Sequence, residues 1–119
     1  MIFKRNLVLL GMMGSGKSTI GRIIARNLKY GFIDIDTEIE KIEGETISEI
    51  FLKKGEDYFR REEEKVVLNK LNSKLKVISL GGGSFINKKI RKSIKKDHFS
   101  VWLNWKNDTL IERINKNDK

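Results

Sequence analysis

The sequence predicts an α/β fold, a single domain over residues 1–119 in three layers, with a mostly parallel sheet flanked by helices. Three observations predict it. Short apolar runs of strand length alternate with longer segments whose apolar residues recur at helical spacing. The first three runs end in glycine or aspartate, the punctuation of a strand handing over to a loop. The residues with evident chemical use fall just past those ends, where an open α/β sheet gathers its ligands.

In chain order, Asn6 to Leu10 (NLVLL) is an apolar run typical of a buried parallel strand. After a glycine-rich turn, Ile20, Ile23, Ile24 and Leu28 share one helical face, with Arg22, Arg26 and Lys29 turned elsewhere. Gly31 to Asp36 (GFIDID) reads as a second strand with an acidic far end. A short helix from about Thr37 to Ile42 stops at Gly44, and Thr46-Ile47-Ser48-Glu49 reads as a capping box opening another. Gly55 breaks that one, and Glu56 to about Leu71 forms a longer helix carrying Phe59, Val66, Val67 and Leu71. Lys76 to Leu80 (KVISL) is a third strand running into Gly81-Gly82-Gly83. A basic helix follows from about Asn87 to Lys95, with Ile86, Ile90 and Ile94 on one face. Phe99 to Leu103 is a fourth strand, and Asp108 to about Ile114 a last helix. Strands alternating with helices are βαβ units, whose strands run parallel.

Composition narrows the function. Hydrophobic residues make up 39% of the chain, enough for one core. The absence of cysteine excludes disulfides, thiolate metal sites and a cysteine nucleophile, and agrees with a cytoplasmic setting. The opening MIFKRNLVLLGMMG imitates a signal peptide but runs straight into GSGKST without a cleavage site. No apolar stretch approaches the roughly 20 residues that cross a bilayer, so no membrane partner is expected. The net charge of +9 is unevenly spread: residues 34–64 hold twelve acidic and five basic side chains, and residues 65–96 ten basic and none acidic. Much of the excess is lysine in a chain without proline, which points to a solvated surface; no nucleic-acid partner is expected.

Gly11-Met12-Met13-Gly14-Ser15-Gly16-Lys17-Ser18 satisfies G-x-x-x-x-G-K-[ST], with a strand before it and an amphipathic helix after it. The glycines let successive backbone N–H groups point at phosphate oxygens, the helix adds its positive end, and Lys17 adds a charge. Ser18 supplies a hydroxyl for Mg²⁺. The motif means nucleotide binding and does not name the reaction.

Asp34 and Asp36 lie two apart at a strand end, so both carboxylates share a face. They either hold hydrated Mg²⁺ and activate a hydroxyl, or Asp36 caps the next helix and Asp34 sits in solvent. Arg60 opens a helix with Glu63 and Glu64 three and four positions on, where they can orient it. It is either a planar fork for a carboxylate or part of a salt-bridged face. The glycine triplet brings bare backbone close to something small, or is a plain turn.

Together these residues resemble the shikimate kinase family, through GMMGSGKSTIGR, FIDIDTEIE, GEDYFRREEEKVV and SLGGGS in the family's order and spacing. The resemblance covers essentially the whole chain and implies the P-loop NTPase fold, with transfer of the ATP γ-phosphate to the shikimate 3-hydroxyl. It implies that Gly14, Ser15, Gly16, Lys17, Ser18 and Thr19 hold the phosphates, with Lys17 also stabilising the transferred group. Ser18 and Asp34 would hold Mg²⁺, and Asp36 would bind the shikimate hydroxyls and act as base. Arg60 would clamp the shikimate carboxylate, Gly82 and Gly83 would contact the ring through backbone, and Arg113 would lie against adenine. The family continues with a mobile lid, a fifth strand and a terminal helix, so the chain is expected to lack them and its own turnover is left open. A complete chain is expected to be monomeric, and the uncovered edge at Phe99–Leu103 to favour self-association. Two other readings fit: a related kinase of another small hydroxylated acid, and a non-catalytic nucleotide-binding fragment.

Overall fold

A computed structural model describes residues 6–11, 17–81 and 83–103. Along the first strand, β1 (Leu7–Gly11), side chains alternate: Val8 and Leu10 join one buried cluster and Leu9 another. The same alternation separates Ile78 from Val77 in β3 (Lys76–Ser79). With β2 (Gly31–Asp34) and β4 (Phe99–Leu103) these strands form one sheet in the order β2-β3-β1-β4, every neighbouring pair parallel. β4 is the terminal strand of that sheet among the described residues.

The handedness of parallel crossovers decides where the helices go. The first connection, α1 (Lys17–Leu28), carries the chain outward from β1 past β3 to β2. The next two carry it back: α2 (Ile35–Glu43) and α3 (Ile47–Leu71) return it to β3, and α4 (Lys88–Asp97) takes it over β1 to β4. A reversed direction at constant hand puts these helices on opposite faces. Ile20 and Ala25 of α1 accordingly cluster with Leu9 and Val77. Ile35, Ile39, Phe59, Val67, Ile90 and Ile94 cluster with Val8, Leu10 and Ile78. Among the described residues no helix is long and apolar enough to cross a membrane.

Local signals place most boundaries. Gly44 ends α2 in the left-handed region, its N–H donating to Glu40 O at 2.9 Å. Thr46 caps α3 as read: Glu49 N donates to Thr46 Oγ1 at 3.1 Å and Thr46 N to Glu49 Oε1 at 2.9 Å. Gly55 breaks the helical backbone of α3 as expected, at φ 87° and ψ 168°, and a second helical stretch runs on to Leu71. Two expectations are corrected. β2 stops at Asp34, and Ile35 and Asp36 already belong to α2, because Asp34 accepts from Thr37 N and caps that helix. Ile86 lies in a 3-10 turn (Ser84–Ile86) ahead of α4 and is 79% exposed, so it does not share the buried face of Ile90 and Ile94. The helix expected over 108–114 lies outside the described residues.

Side chains of α2 brace α3. Glu40 Oε2 accepts from Ile47 N at 2.9 Å. Glu43 Oε1 accepts from Lys54 Nζ at 3.1 Å and from the Tyr58 hydroxyl at 2.8 Å. Lys54 and Tyr58 flank Gly55, so one carboxylate spans the kink. On the other side, buried Asn6 ties the start of β1 to the loop before β3. It donates to Leu71 O and Ser73 O at 3.2 and 2.8 Å and accepts from Lys76 N at 2.9 Å.

Gly55 occupies a backbone region that essentially only glycine enters, and a Cβ there would meet nothing within 4 Å. The cost of a side chain is therefore conformational: Gly55→Ala should lower the unfolding free energy by about 1–3 kcal/mol, read from urea denaturation. The Tyr58 hydroxyl, and then Lys54, hold the Glu43 carboxyl below its ordinary value. Its contribution is thus present at neutral pH and is lost as pH falls through that lowered value, below the usual carboxylate range near about 4.3. Urea midpoints measured from about pH 7 down to about pH 3 should fall more steeply in the wild type than in Glu43→Gln.

Candidate active site

Strand register builds the site. Asp34 pairs with Ser79 across β2 and β3, and Leu9 pairs with the same Ser79 across β1 and β3. The next residues of all three strands therefore emerge side by side: Ile35-Asp36, Leu80-Gly81 and Leu10-Gly11. Leu80 N extends the ladder by donating to Leu9 O at 3.1 Å. Gly11 ends β1 and Lys17 opens α1, so residues 12–16 join the carboxyl end of a strand to the amino end of a helix at this edge.

Beyond the kink, α3 carries Phe59, Glu63, Val66 and Val67 on its buried face. Glu63 is 2% exposed, a carboxylate inside an apolar stripe. Its Oε1 accepts from Arg60 Nη1 at 3.0 Å and its Oε2 from the buried Ser84 hydroxyl at 2.6 Å. The second guanidinium nitrogen of Arg60 makes a 3.5 Å contact to the exposed Glu56. The guanidinium lies 5.3 Å from the Phe59 ring centroid and against the glycine turn. A Cβ on Gly83 would fall 2.7 Å from both Arg60 Nη1 and Nη2, and one on Gly81 would fall 3.2 Å from Asp36 Oδ1 and 3.4 Å from Glu63 Oε2. A side chain at Gly83 would push the guanidinium aside, and one at Gly81 would make its neighbours give by a few tenths of an ångström.

The result is a cavity of about 180 Å³ with an apolar floor of Ile47, Phe51 and Phe59 and a polar wall of Asp36, Arg60, Glu63, Gly81 and Gly83. One cationic fork, flanking carboxylates and exposed backbone suit a small hydroxylated acid: the fork takes a carboxylate, the acceptors take hydroxyls.

Asp36, Arg60 and Gly83 thus meet in one cavity. Asp34 does not share it and lines an adjacent cavity of about 250 Å³ with Arg22, Thr37 and Lys41. The expectation that both aspartates point one way fails because the strand turns into a helix between them. Of the helix-face partners expected for Arg60, Glu63 holds it, but Glu64 turns to Asn87 Nδ2 at 3.1 Å and Lys89 Nζ at 3.5 Å. Thr19 is exposed in the first turn of α1, and only the backbone of Lys17 and Ser18 is described. Gly14, Ser15, Gly16, Gly82 and Arg113 lie outside the described residues. The reading of the sequence named the triplet Gly81-Gly82-Gly83 and Glu63 as a partner for Arg60, but it missed Ser84 and the burial of Glu63. For Glu63 a signal existed, since it falls on the apolar stripe at i+4 from Phe59.

The family model for shikimate kinase matches residues 13–119. The chain belongs to the shikimate kinase family. It is 47% identical over 115 residues to the shikimate kinase of Rhizobium meliloti, covering 97% of this chain and 60% of that protein. It is 49% identical to that of Rhizobium leguminosarum bv. trifolii, covering 96% and 58%. Among solved structures, the shikimate kinase from Acinetobacter baumannii in complex with shikimate superposes with a TM-score of 0.83 at 34% identity, over 98% of this chain and 65% of that one. This member of the shikimate kinase family therefore spans about 60% of the length of those curated relatives.

The atoms that crowd Gly83 are the far end of a flexible side chain, so the fold can absorb a methyl group there while the fork cannot stay in place. Gly83→Ala should displace the Arg60 guanidinium, seen in a crystal structure of the variant, and lower the unfolding free energy by about 1–3 kcal/mol as Glu63 loses a hydrogen bond to a charged partner.

Proposed function

We propose that this chain carries the phosphate-binding and substrate-binding parts of an enzyme that transfers the ATP γ-phosphate to the 3-hydroxyl of shikimate. The observation that carries the reading is the Arg60 guanidinium, braced by buried Glu63 and laid on Gly83 at the wall of a cavity shared with Asp36. Membership of the family and the shikimate bound to the related Acinetobacter baumannii enzyme support it.

In this reading Arg60 grips the shikimate carboxylate, and Gly82 and Gly83 meet the ring through backbone, which fixes the ring's orientation. Asp36 accepts hydrogen bonds from the ring hydroxyls and takes the proton of the attacking one. That oxygen's electron pair forms the new O–P bond as the bond to the β-phosphate breaks and ADP leaves. Gly14 to Thr19 receive the phosphates at the amino end of α1, Lys17 offsets charge on the transferred group, and Arg113 takes the adenine side. Among the described residues no group of three or more His, Cys, Asp or Glu is placed to hold a metal ion. Mg²⁺ in nucleotide sites is held mainly by phosphates and water with one or two protein ligands. Ser18 and Asp34 would be those ligands, and the ion supplies charge neutralisation on the phosphates when bound. The reading places the reaction in the cytoplasm.

The direct test is shikimate-dependent ADP release from Mg-ATP against a no-shikimate control, with gluconate as the rival acceptor. Any release is expected to favour shikimate, and equal release with gluconate overturns the assignment. Arg60→Ala should weaken shikimate binding roughly a hundredfold, the loss expected on removing one half of a desolvated charge pair. ADP affinity, measured by calorimetry on the same samples, should be unchanged.

A further inference from the structure

Ser84 follows the glycine turn, is fully buried, and donates its hydroxyl hydrogen to Glu63 Oε2 at 2.6 Å, the length of a strong charge-assisted bond. Its backbone is pinned on both sides. Ser84 N donates to Gly81 O, and Ser84 O accepts from Asn87 N, each at 3.1 Å. The hydroxyl is therefore the fixed partner and Glu63 the one that is held. The oxygen it holds is the one that faces Gly81. The other oxygen is left to accept from Arg60 Nη1 at 3.0 Å.

We infer that Ser84 is a positioning residue of the carboxylate clamp: by holding Glu63 Oε2 it turns Glu63 Oε1 onto Arg60 and sets the edge that the guanidinium presents to the substrate. The inference rests on the proposed role of Arg60 as the group that takes the shikimate carboxylate. Without the hydroxyl, a buried carboxylate oxygen would lose its Ser84 donor, an arrangement that the loss of a buried hydrogen bond disfavours. Glu63 would rotate, and Arg60 would follow. Arg60 is 38% exposed, and its other carboxylate contact is the 3.5 Å one to Glu56, itself 64% exposed.

The test is Ser84→Ala in this chain, read by shikimate affinity, ADP affinity and the ¹⁵N NMR spectrum of the Arg60 guanidinium. Shikimate affinity should fall about tenfold, the loss of one hydrogen bond to a charged group. ADP affinity should not change, and the Arg60 Nη resonances, separate in the wild type, should merge as the guanidinium turns freely. Ser84→Cys is somewhat larger, keeps a weak donor and should fall between; it carries the test if the alanine variant does not fold. Nη resonances that stay separate overturn the inference, as does an equal fall in both affinities, which marks general loosening. If the wild-type chain does not take shikimate, the proposed function fails, while the guanidinium spectra still decide the role of Ser84.

Discussion

The carboxylate of Glu63 is the constraint on which the site depends. At 2% exposure it has left water almost completely, and an unpartnered charge there would cost several kcal/mol. Both oxygens must therefore be met, one by Arg60 and one by Ser84, and each partner arrives from a different part of the chain. Arg60 comes from one turn earlier on the same helix, Ser84 from the turn that follows β3. Such a buried pair is a poor source of stability compared with an apolar residue of the same size. What it supplies is direction. It joins the helix that carries the cationic fork to the glycine turn on which that fork lies.

That demand explains features distant from the cavity. Arg60 reaches the glycine turn because α3 changes direction at Gly55, and the angle is held by Glu43, which takes one donor on each side of the kink. The position of the turn depends in turn on β3, whose start is tied through Asn6 to the end of α3. The acidic segment is thus spent partly on bracing the fold. Glu40, Glu43, Glu49 and Glu63 each accept a specific donor that fixes an element, and of these four only Glu63 is buried.

The two aspartates divide the region into two neighbouring cavities. Asp34 ends β2 with extended backbone and caps α2, whereas Asp36 stands inside the first helical turn. A strand turns successive side chains by about 180° and a helix by about 100°, so residues two apart no longer share a face once the change of structure falls between them. Asp36 goes to the cavity with Arg60, and Asp34 to the one with Arg22 and Lys41. Each aspartate shares its cavity with a glutamate, Asp36 with Glu63 beside Arg60, and Asp34 with Glu38 beside Arg22 of α1.

Much of the fold was legible in the sequence because the signals are local. The capping box at Thr46 and Glu49, the stop at Gly44, the break at Gly55 and the strand Phe99–Leu103 rest on caps, backbone sterics and apolar period, which need only a few neighbouring residues. The glycine motif at residues 11–18, with its strand before and helix after, likewise makes nucleotide binding the expectation from sequence alone. What only the tertiary structure decided is which surfaces meet. The order β2-β3-β1-β4, the separation of Asp34 from Asp36, the exposure of Ile86 and the capture of Glu63 by Ser84 depend on contacts between residues far apart in the chain. A carboxylate on a helix reads the same in sequence whether it faces water or a serine hydroxyl 21 positions away; desolvation, imposed by packing, makes the difference.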